Sequence, residues 1–355
     1  MLRSGTRALS GTGAVSAGEV LVTFPGFDVD DPETAGVLRD AGLDIRFAPK
    51  HGARTPSELR ELTSDAVGAI ASTDPFDRSV LESASRLRVI ARTGVGTDSI
   101  DLEAATENGI VVATTPGLNE ETAADHTMAL ILGAVRRLVE HDASMRRGEW
   151  DRGGALTAWD LHGATVGIVG LGVIGRAVAK RLQGFDVTVI ATDPVVTAGS
   201  VPDVTMVELD ELLDSAEVIT LHVPKLASTS ALIGREELAR MRPDAILVNA
   251  ARGGVVDEDA LVDALSAGRI RMAALDVFEL EPPVASKLLE LPNVILTPHI
   301  AGISVEAMRS MARLATKSVV GVLEGRPPQS IVNPEALEHT RRDSESDGHK
   351  QEAGC

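Results

Sequence analysis

The chain of 355 residues carries 52 acidic and 34 basic side chains, a formal net charge of -18 at pH 7, six Phe, two Trp and no Tyr. That length suits two domains, while the acidic excess and the scarcity of aromatic rings count against a protein that tracks nucleic-acid phosphates or stacks on bases. The one cysteine, Cys355, is the last residue, which excludes an intrachain disulfide and a cysteine metal site and is compatible with a reducing, cytoplasmic setting.

Residues 1–18 are rich in Gly, Ser, Thr and Ala with no acid, and lack the apolar core of a secretory signal, so they are read as a disordered start. Short runs rich in Val and Ile follow: Val20 to Phe24, Ile45 to Ala48, Ala66 to Ala71, Leu87 to Ala91 and Ile110 to Ala113. Turn residues and helix-length segments separate them, which predicts buried parallel strands with helical crossovers. After Pro116 and Gly117, Asn119 is placed to cap a helix whose first turn holds Glu120 and Glu121, acids that suit the positive end of the helix dipole. Met128, Ile131, Leu132, Val135, Leu138 and Val139 then recur at helical spacing and predict one stripe of a long helix. No apolar stretch approaches the ~18 residues that span a bilayer, so no membrane partner is expected.

The stretch Arg146 to Leu161, with three glycines and both tryptophans, reads as a connecting arm. A second series of strands is expected at Thr165 to Val169, Val187 to Ala191, Val218 to Leu221, Ala245 to Val248, Met272 to Val277 and Val294 to Leu296. Between two of them, Asp257 is a plausible N-cap and Gly268 a stop for the helix Asp257 to Ala267. A last helix, from about Val305 to Leu323, is expected to pack back on the first unit. The charged segment 334–355 is read as solvated disorder. The fold class is therefore α/β, with two doubly wound parallel sheets.

At the end of the strand Thr165 to Val169 stands Gly170-Leu171-Gly172-Val173-Ile174-Gly175, followed by a helical segment. The first glycine permits a tight turn, the second lets the backbone approach a pyrophosphate, and the third allows close helix packing. Alone this pattern is weak, but Asp193 closes the next strand, roughly 20 residues on, where an acid accepts hydrogen bonds from ribose hydroxyls. The next basic residue along the chain is Lys225, so NAD is favoured over NADP.

Ligands of open parallel sheets bind beyond the carboxyl ends of the strands. Arg252, Glu281 and His299 each follow a strand of the second series. Singly they read as a surface arginine, a loop acid and an ordinary histidine. Together they supply a cation for a carboxylate, a proton donor and an acid to orient the imidazole. No metal ligand set is expected.

At these residues the sequence resembles the D-isomer-specific 2-hydroxyacid dehydrogenases, and among them the D-3-phosphoglycerate dehydrogenases. The segments that carry the resemblance are Arg92 to Asp98, the Asn119 to Arg137 helix, the Gly170 to Gly175 turn, Asn249 to Leu265, Ala274 to Pro283 and Pro298 to Gly302, with Glu281 directly before a Pro-Pro pair.

The resemblance implies a flavodoxin-like substrate domain, residues 19–115 and 303–333, into which a Rossmann NAD-binding domain, residues 116–302, is inserted. It implies a cofactor site of Val95, Gly170, Gly172, Val173, Ile174, Gly175, Asp193, Val223, Ala250, Arg252, Asp276, His299 and Gly302. It implies a substrate site of Ser72, Gly94, Val95, Gly96 and Arg252 for a small 2-oxo or 2-hydroxy acid, with Arg252, Glu281 and His299 catalytic, and a homodimer through the cofactor domain and the arm Met145 to Leu161. The larger phosphoglycerate dehydrogenases carry a C-terminal regulatory domain absent from this sequence, so serine feedback is not expected.

Two other readings stay open at this stage. A glyoxylate or hydroxypyruvate reductase fits because Ala71 stands where phosphoglycerate dehydrogenases commonly place an arginine for the substrate phosphate, unless Arg46, Lys50 or Arg54 compensates. A non-catalytic, NAD-sensing corepressor-like protein would keep the same three residues. Formate dehydrogenases resemble this chain with glutamine where Glu281 stands, which argues against that activity.

Overall fold

The computed structural model describes residues 18–338, apart from 51, 53, 151 and 153. The chain separates into two compact units, one of the residues up to Leu118 with those from Val305 onward, the other Asn119–Ser304. These junctions fall slightly later than the expected 115/116 and 302/303. Asn119 opens the first helix of the second unit, and Ser304 Oγ lies 3.2 Å from Thr122 Oγ1 in that helix.

In the first unit, β1 (Gly18–Val22), β2 (Leu43–Phe47), β3 (Ala66–Ala71), β4 (Val89–Arg92) and β5 (Val111–Ala113) form a parallel sheet in the order β2-β1-β3-β4-β5. The residues of β3 and β5 are buried on both faces, which is why these strands read as unbroken apolar runs rather than alternating ones. Between them lie α1 (Val37–Asp40), α2 (Pro56–Thr63), α3 (Arg78–Ser83) and α4 (Leu102–Glu107).

In the second unit, α5 (Glu120–Val135) and α6 (Leu138–Arg146) precede seven parallel strands: β6 (Thr165–Val169), β7 (Thr188–Thr192), β8 (Thr205–Met206), β9 (Val218–Leu221), β10 (Ile246–Asn249), β11 (Met272–Leu275) and β12 (Val294–Leu296). Their order is β12-β11-β10-β9-β6-β7-β8, with α7 (Val173–Leu182), α8 (Leu209–Ser215), α9 (Arg235–Arg240) and α10 (Glu258–Ser266) as crossovers. The order reverses between β6 and β9, the switch point at which doubly wound sheets bind ligands. Asp257 caps α10 by accepting the Ala260 N–H at 2.9 Å, and Gly268 takes a left-handed turn after it. The chain then returns to the first unit through α11 (Val305–Leu323), which packs on β3 and β4.

Four expectations are corrected. The long helix breaks: Arg137 adopts φ 52°, Trp159 N–H donates to the Val135 carbonyl, and α6 sets off in a new direction with Leu138 and Val139 exposed. Asn119 makes no side-chain cap bond to α5. Gly18 belongs to β1 rather than to a disordered start, and Pro334–Leu337 form a short 3-10 helix that buries Ala336. The two-residue edge strand β8, too short to leave an apolar run, was not expected. The rest of the two terminal calls, residues 1–17 and 339–355, lies outside the described residues. Among the described residues no helix is long and apolar enough to cross a membrane, and no group of three or more His, Cys, Asp and Glu is placed to hold a metal ion.

Candidate functional site

The Gly170–Gly175 turn joins β6 to α7 at the switch point. Gly170 sits at φ 94°, and a Cβ there would lie 2.8 Å from the His222 carbonyl. A Cβ on Gly175 would lie 2.2 Å from the Gly170 carbonyl oxygen, so both positions require glycine. Gly172, the N-cap of α7, faces open space instead. The backbone is bare where the helix N-terminus presents its N–H groups, and the turn fits a pyrophosphate there. Ile174 and Val223 are half-buried beside the turn, Val173 is exposed, and Ala250 packs against the core beneath.

Asp193 follows β7. Its carboxylate accepts N–H groups from Leu171 and Val195, both at 2.8 Å, and from Val196 at 3.1 Å. Burial works against its charge, but these three donors and the nearby Arg176 outweigh it and hold the carboxyl below its ordinary range. Lys225 is the next basic residue along the chain, but an arginine that precedes Asp193 stands near it in space. Arg176, on the first turn of α7, donates from Nε to the Leu171 carbonyl at 2.9 Å and acts electrostatically on Asp193.

Arg252 follows β10 in a loop held by Asn249, whose amide donates to the Arg252 carbonyl and whose oxygen accepts the Ala251 N–H. On the neighbouring strand end, fully buried Asp276 organises the turn after β12. Its Oδ1 accepts the Thr297 hydroxyl at 2.6 Å and the Ile300 N–H at 2.9 Å, and its Oδ2 accepts the Ala301 N–H at 2.7 Å. Burial opposes its charge, yet the side chains of His126 and Thr297 and these two N–H groups keep its carboxyl below the usual range.

His299 stands in that turn at φ 53°, its N–H bonded to the carbonyls of Asp276 and Thr297. Its Nδ1 lies 2.7 Å from Glu281 Oε2, while Glu281 Oε1 accepts the Phe278 N–H. Glu281, His299 and Asp276 thus form one connected group. Gly302 packs so tightly on Asn119 that a Cβ would lie 2.5 Å from the amide nitrogen. Sequence reasoning missed His126 and Thr297; the only signal was the position of Thr297 directly ahead of Pro298 and His299.

In the first unit, the carboxyl edge of the sheet carries Ser72 after β3 and the Gly94–Gly96 turn after β4. Gly94 N–H donates to Thr115 Oγ1 at 2.7 Å, Gly96 is half-buried, and Val95 is exposed. Ala71 pairs in register with Arg92, whose guanidinium folds back onto the Thr93 carbonyl over Gly94. Asp74, nearby, holds Arg54 in an ion pair of 2.8 Å with both side chains less than a tenth exposed. Lys50 is paired with Glu58 at 2.7 Å, and Arg46 lies 3.6 Å from Glu19.

Residues 128–301 match the NAD binding domain of the D-isomer specific 2-hydroxyacid dehydrogenases. Over 309 residues the chain is 39% identical to the D-3-phosphoglycerate dehydrogenase of Archaeoglobus fulgidus, covering 86% of this chain and 58% of that protein. It is 44% identical to the glyoxylate reductase of Thermofilum pendens, covering 75% of this chain and 80% of that one. The solved structure of a Thermus thermophilus protein superposes with a TM-score of 0.80 at 40% identity, covering 88% of this chain and 99% of that chain. The chain spans little more than half of the first relative and most of the other two. By its phosphate turn, its linked His299 and Glu281 and these similarities, the chain belongs to the D-isomer specific 2-hydroxyacid dehydrogenase family.

Proposed function

We propose that the protein is an NAD-dependent D-2-hydroxyacid dehydrogenase that also works as a 2-oxo acid reductase. The observation that carries this reading is the 2.7 Å contact between His299 Nδ1 and Glu281 on the sheet edge that bears the phosphate turn. The turn glycines and the α7 N-terminus would hold the pyrophosphate and Asp193 the ribose. Val173, Ile174, Val223, Ala250, Asp276 and Gly302 would complete the cofactor site. When bound, NADH supplies the hydride that reaches C2 of the oxo acid.

Arg252 holds the substrate carboxylate and polarises the carbonyl. His299, its Nδ1 tied to Glu281, presents Nε2 and gives a proton to the carbonyl oxygen, so that a C–H and an O–H bond form as the C=O double bond becomes single. Oxidation of the hydroxy acid returns the proton to the same nitrogen.

The relatives comprise a phosphoglycerate dehydrogenase and a glyoxylate reductase at similar identity, which supports an enzyme over a corepressor but does not select the substrate. Ala71 lacks the phosphate-gripping cation, and Arg46, Lys50 and Arg54 are each engaged by an acid. A charge-assisted bond contributes roughly 1.5–3 kcal/mol. Unphosphorylated acids should therefore be used at least as well as the phosphorylated one.

The test is NADH oxidation with hydroxypyruvate, glyoxylate and 3-phosphohydroxypyruvate, read as kcat/KM. Turnover of none would remove the enzymatic reading. A preference of about two orders of magnitude for the phosphorylated acid, near 2.7 kcal/mol, would mean that another cation, such as Arg92, has taken over the phosphate. Leu138, Val139, Met145 and Trp150, each more than half exposed, support a homodimer through α6 and the arm. A cytoplasmic setting accords with the single thiol.

A further inference from the structure

His126 lies on α5 with its side chain largely buried. Its Nε2 is 3.1 Å from Thr297 Oγ1 and 3.5 Å from Asp276 Oδ1. The tautomer follows from counting protons. Ionised Asp276 only accepts, so the single hydroxyl proton of Thr297 goes to Oδ1 at 2.6 Å. The Thr297 oxygen is then left as an acceptor, and His126 Nε2 must carry the hydrogen that fills it.

A chain of donors thus runs from α5 through Thr297 to Asp276, and the same carboxylate takes the N–H groups of Ile300 and Ala301. Those are the two residues that follow His299. A left-handed, non-glycine residue costs of order 1–3 kcal/mol and persists only where its surroundings over-determine it. Here the turn depends on the rotamer of one buried carboxylate, and His126 is the side chain that reaches it from outside the turn.

We propose that His126 is a positioning residue for His299, acting through Thr297 and Asp276. The inference rests on His299 as the proton donor. Losing the donor frees Thr297 and Asp276 to turn, and the imidazole of His299 then spends less time in line with the substrate carbonyl. Misplacement of about 1 Å costs up to 10²-fold in rate.

The experiment compares His126→Gln, His126→Asn, His126→Leu and His299→Asn. The glutamine amide reaches about as far as Nε2, whereas the asparagine amide stops short. His126→Gln should keep kcat for oxo-acid reduction within about threefold of the parent, and His126→Asn and His126→Leu should lose about tenfold or more. Because Asp276 also lies in the proposed cofactor site, the dissociation constant for NADH, read by fluorescence, should rise by a smaller factor than kcat falls in the Asn and Leu variants. Equal kcat in the Gln and Asn variants, or a loss that appears in NADH affinity rather than kcat, would overturn the inference even if the Leu variant fails to fold. Full activity in His299→Asn would instead remove the reading on which it stands.

Discussion

Asp276 and His299 are joined twice. The Asp276 carbonyl accepts the His299 N–H at 2.8 Å, while its carboxylate accepts the next two N–H groups, of Ile300 and Ala301. The residue expected to touch the cofactor therefore also holds the proposed proton donor in its left-handed turn. Asp276→Asn should be costly, because whichever way the amide rotates, one of its N–H groups faces another donor. A buried unsatisfied donor costs about 1–3 kcal/mol. A lowered melting temperature together with reduced kcat is expected; a variant as stable and active as the parent would refute this account.

His299→Asn should keep NADH binding and reduce oxo-acid turnover by roughly 10²–10⁴-fold, the contribution of a positioned general acid. Steady-state rates alongside NADH fluorescence titration check this. Undiminished turnover would take His299 out of the mechanism.

Asp193 should make NADH the better cofactor, since its carboxylate repels a ribose 2′-phosphate. Asp193→Ala should narrow the gap in kcat/KM between NADH and NADPH, helped by Arg176, which is then relieved of its acidic neighbour. Equal use of both cofactors by the parent protein would contradict the assignment.

His222, just after β9 with its Nε2 3.0 Å from Thr220 Oγ1, has its imidazole pushed down to about 4 by burial. The unfolded chain binds this proton below about pH 6.5 and the folded chain refuses it until about 4. Stability from this residue is therefore full above about 6.5 and falls as pH drops through that window, by about 3 kcal/mol at most. Melting curves at pH 7 and pH 5 should show a smaller acid-side loss in His222→Asn than in the parent. Identical losses would show that this histidine titrates alike in both states.

Much of the fold was legible because parallel strands buried on both faces must be apolar throughout. The runs Ala66 to Ala71, Thr165 to Val169 and Val218 to Leu221 coincide with β3, β6 and β9, and Val294 to Leu296 coincides with β12, an edge strand that is only partly buried. The phosphate turn was legible for a similar reason, since Gly170 and Gly175 answer to steric demands within a few residues of chain. The site residues Arg252, Glu281 and His299 stood out because each follows a strand, and strand ends define where such a sheet meets its ligand.

What the sequence by itself determined was the pattern set by local sterics and burial: two parallel sheets, a turn for a pyrophosphate, and three polar groups at strand ends. Tertiary structure decided every pairing between distant residues. Arg54 meets Asp74, Arg176 stands by Asp193, and His126 reaches Thr297 from another helix. It also broke the helix at Arg137, where the returning chain bonds its Trp159 N–H to the Val135 carbonyl. Periodicity reports which face of a segment is apolar, but hydrogen bonds and ion pairs depend on distances that exist only once the sheets have closed on their helices.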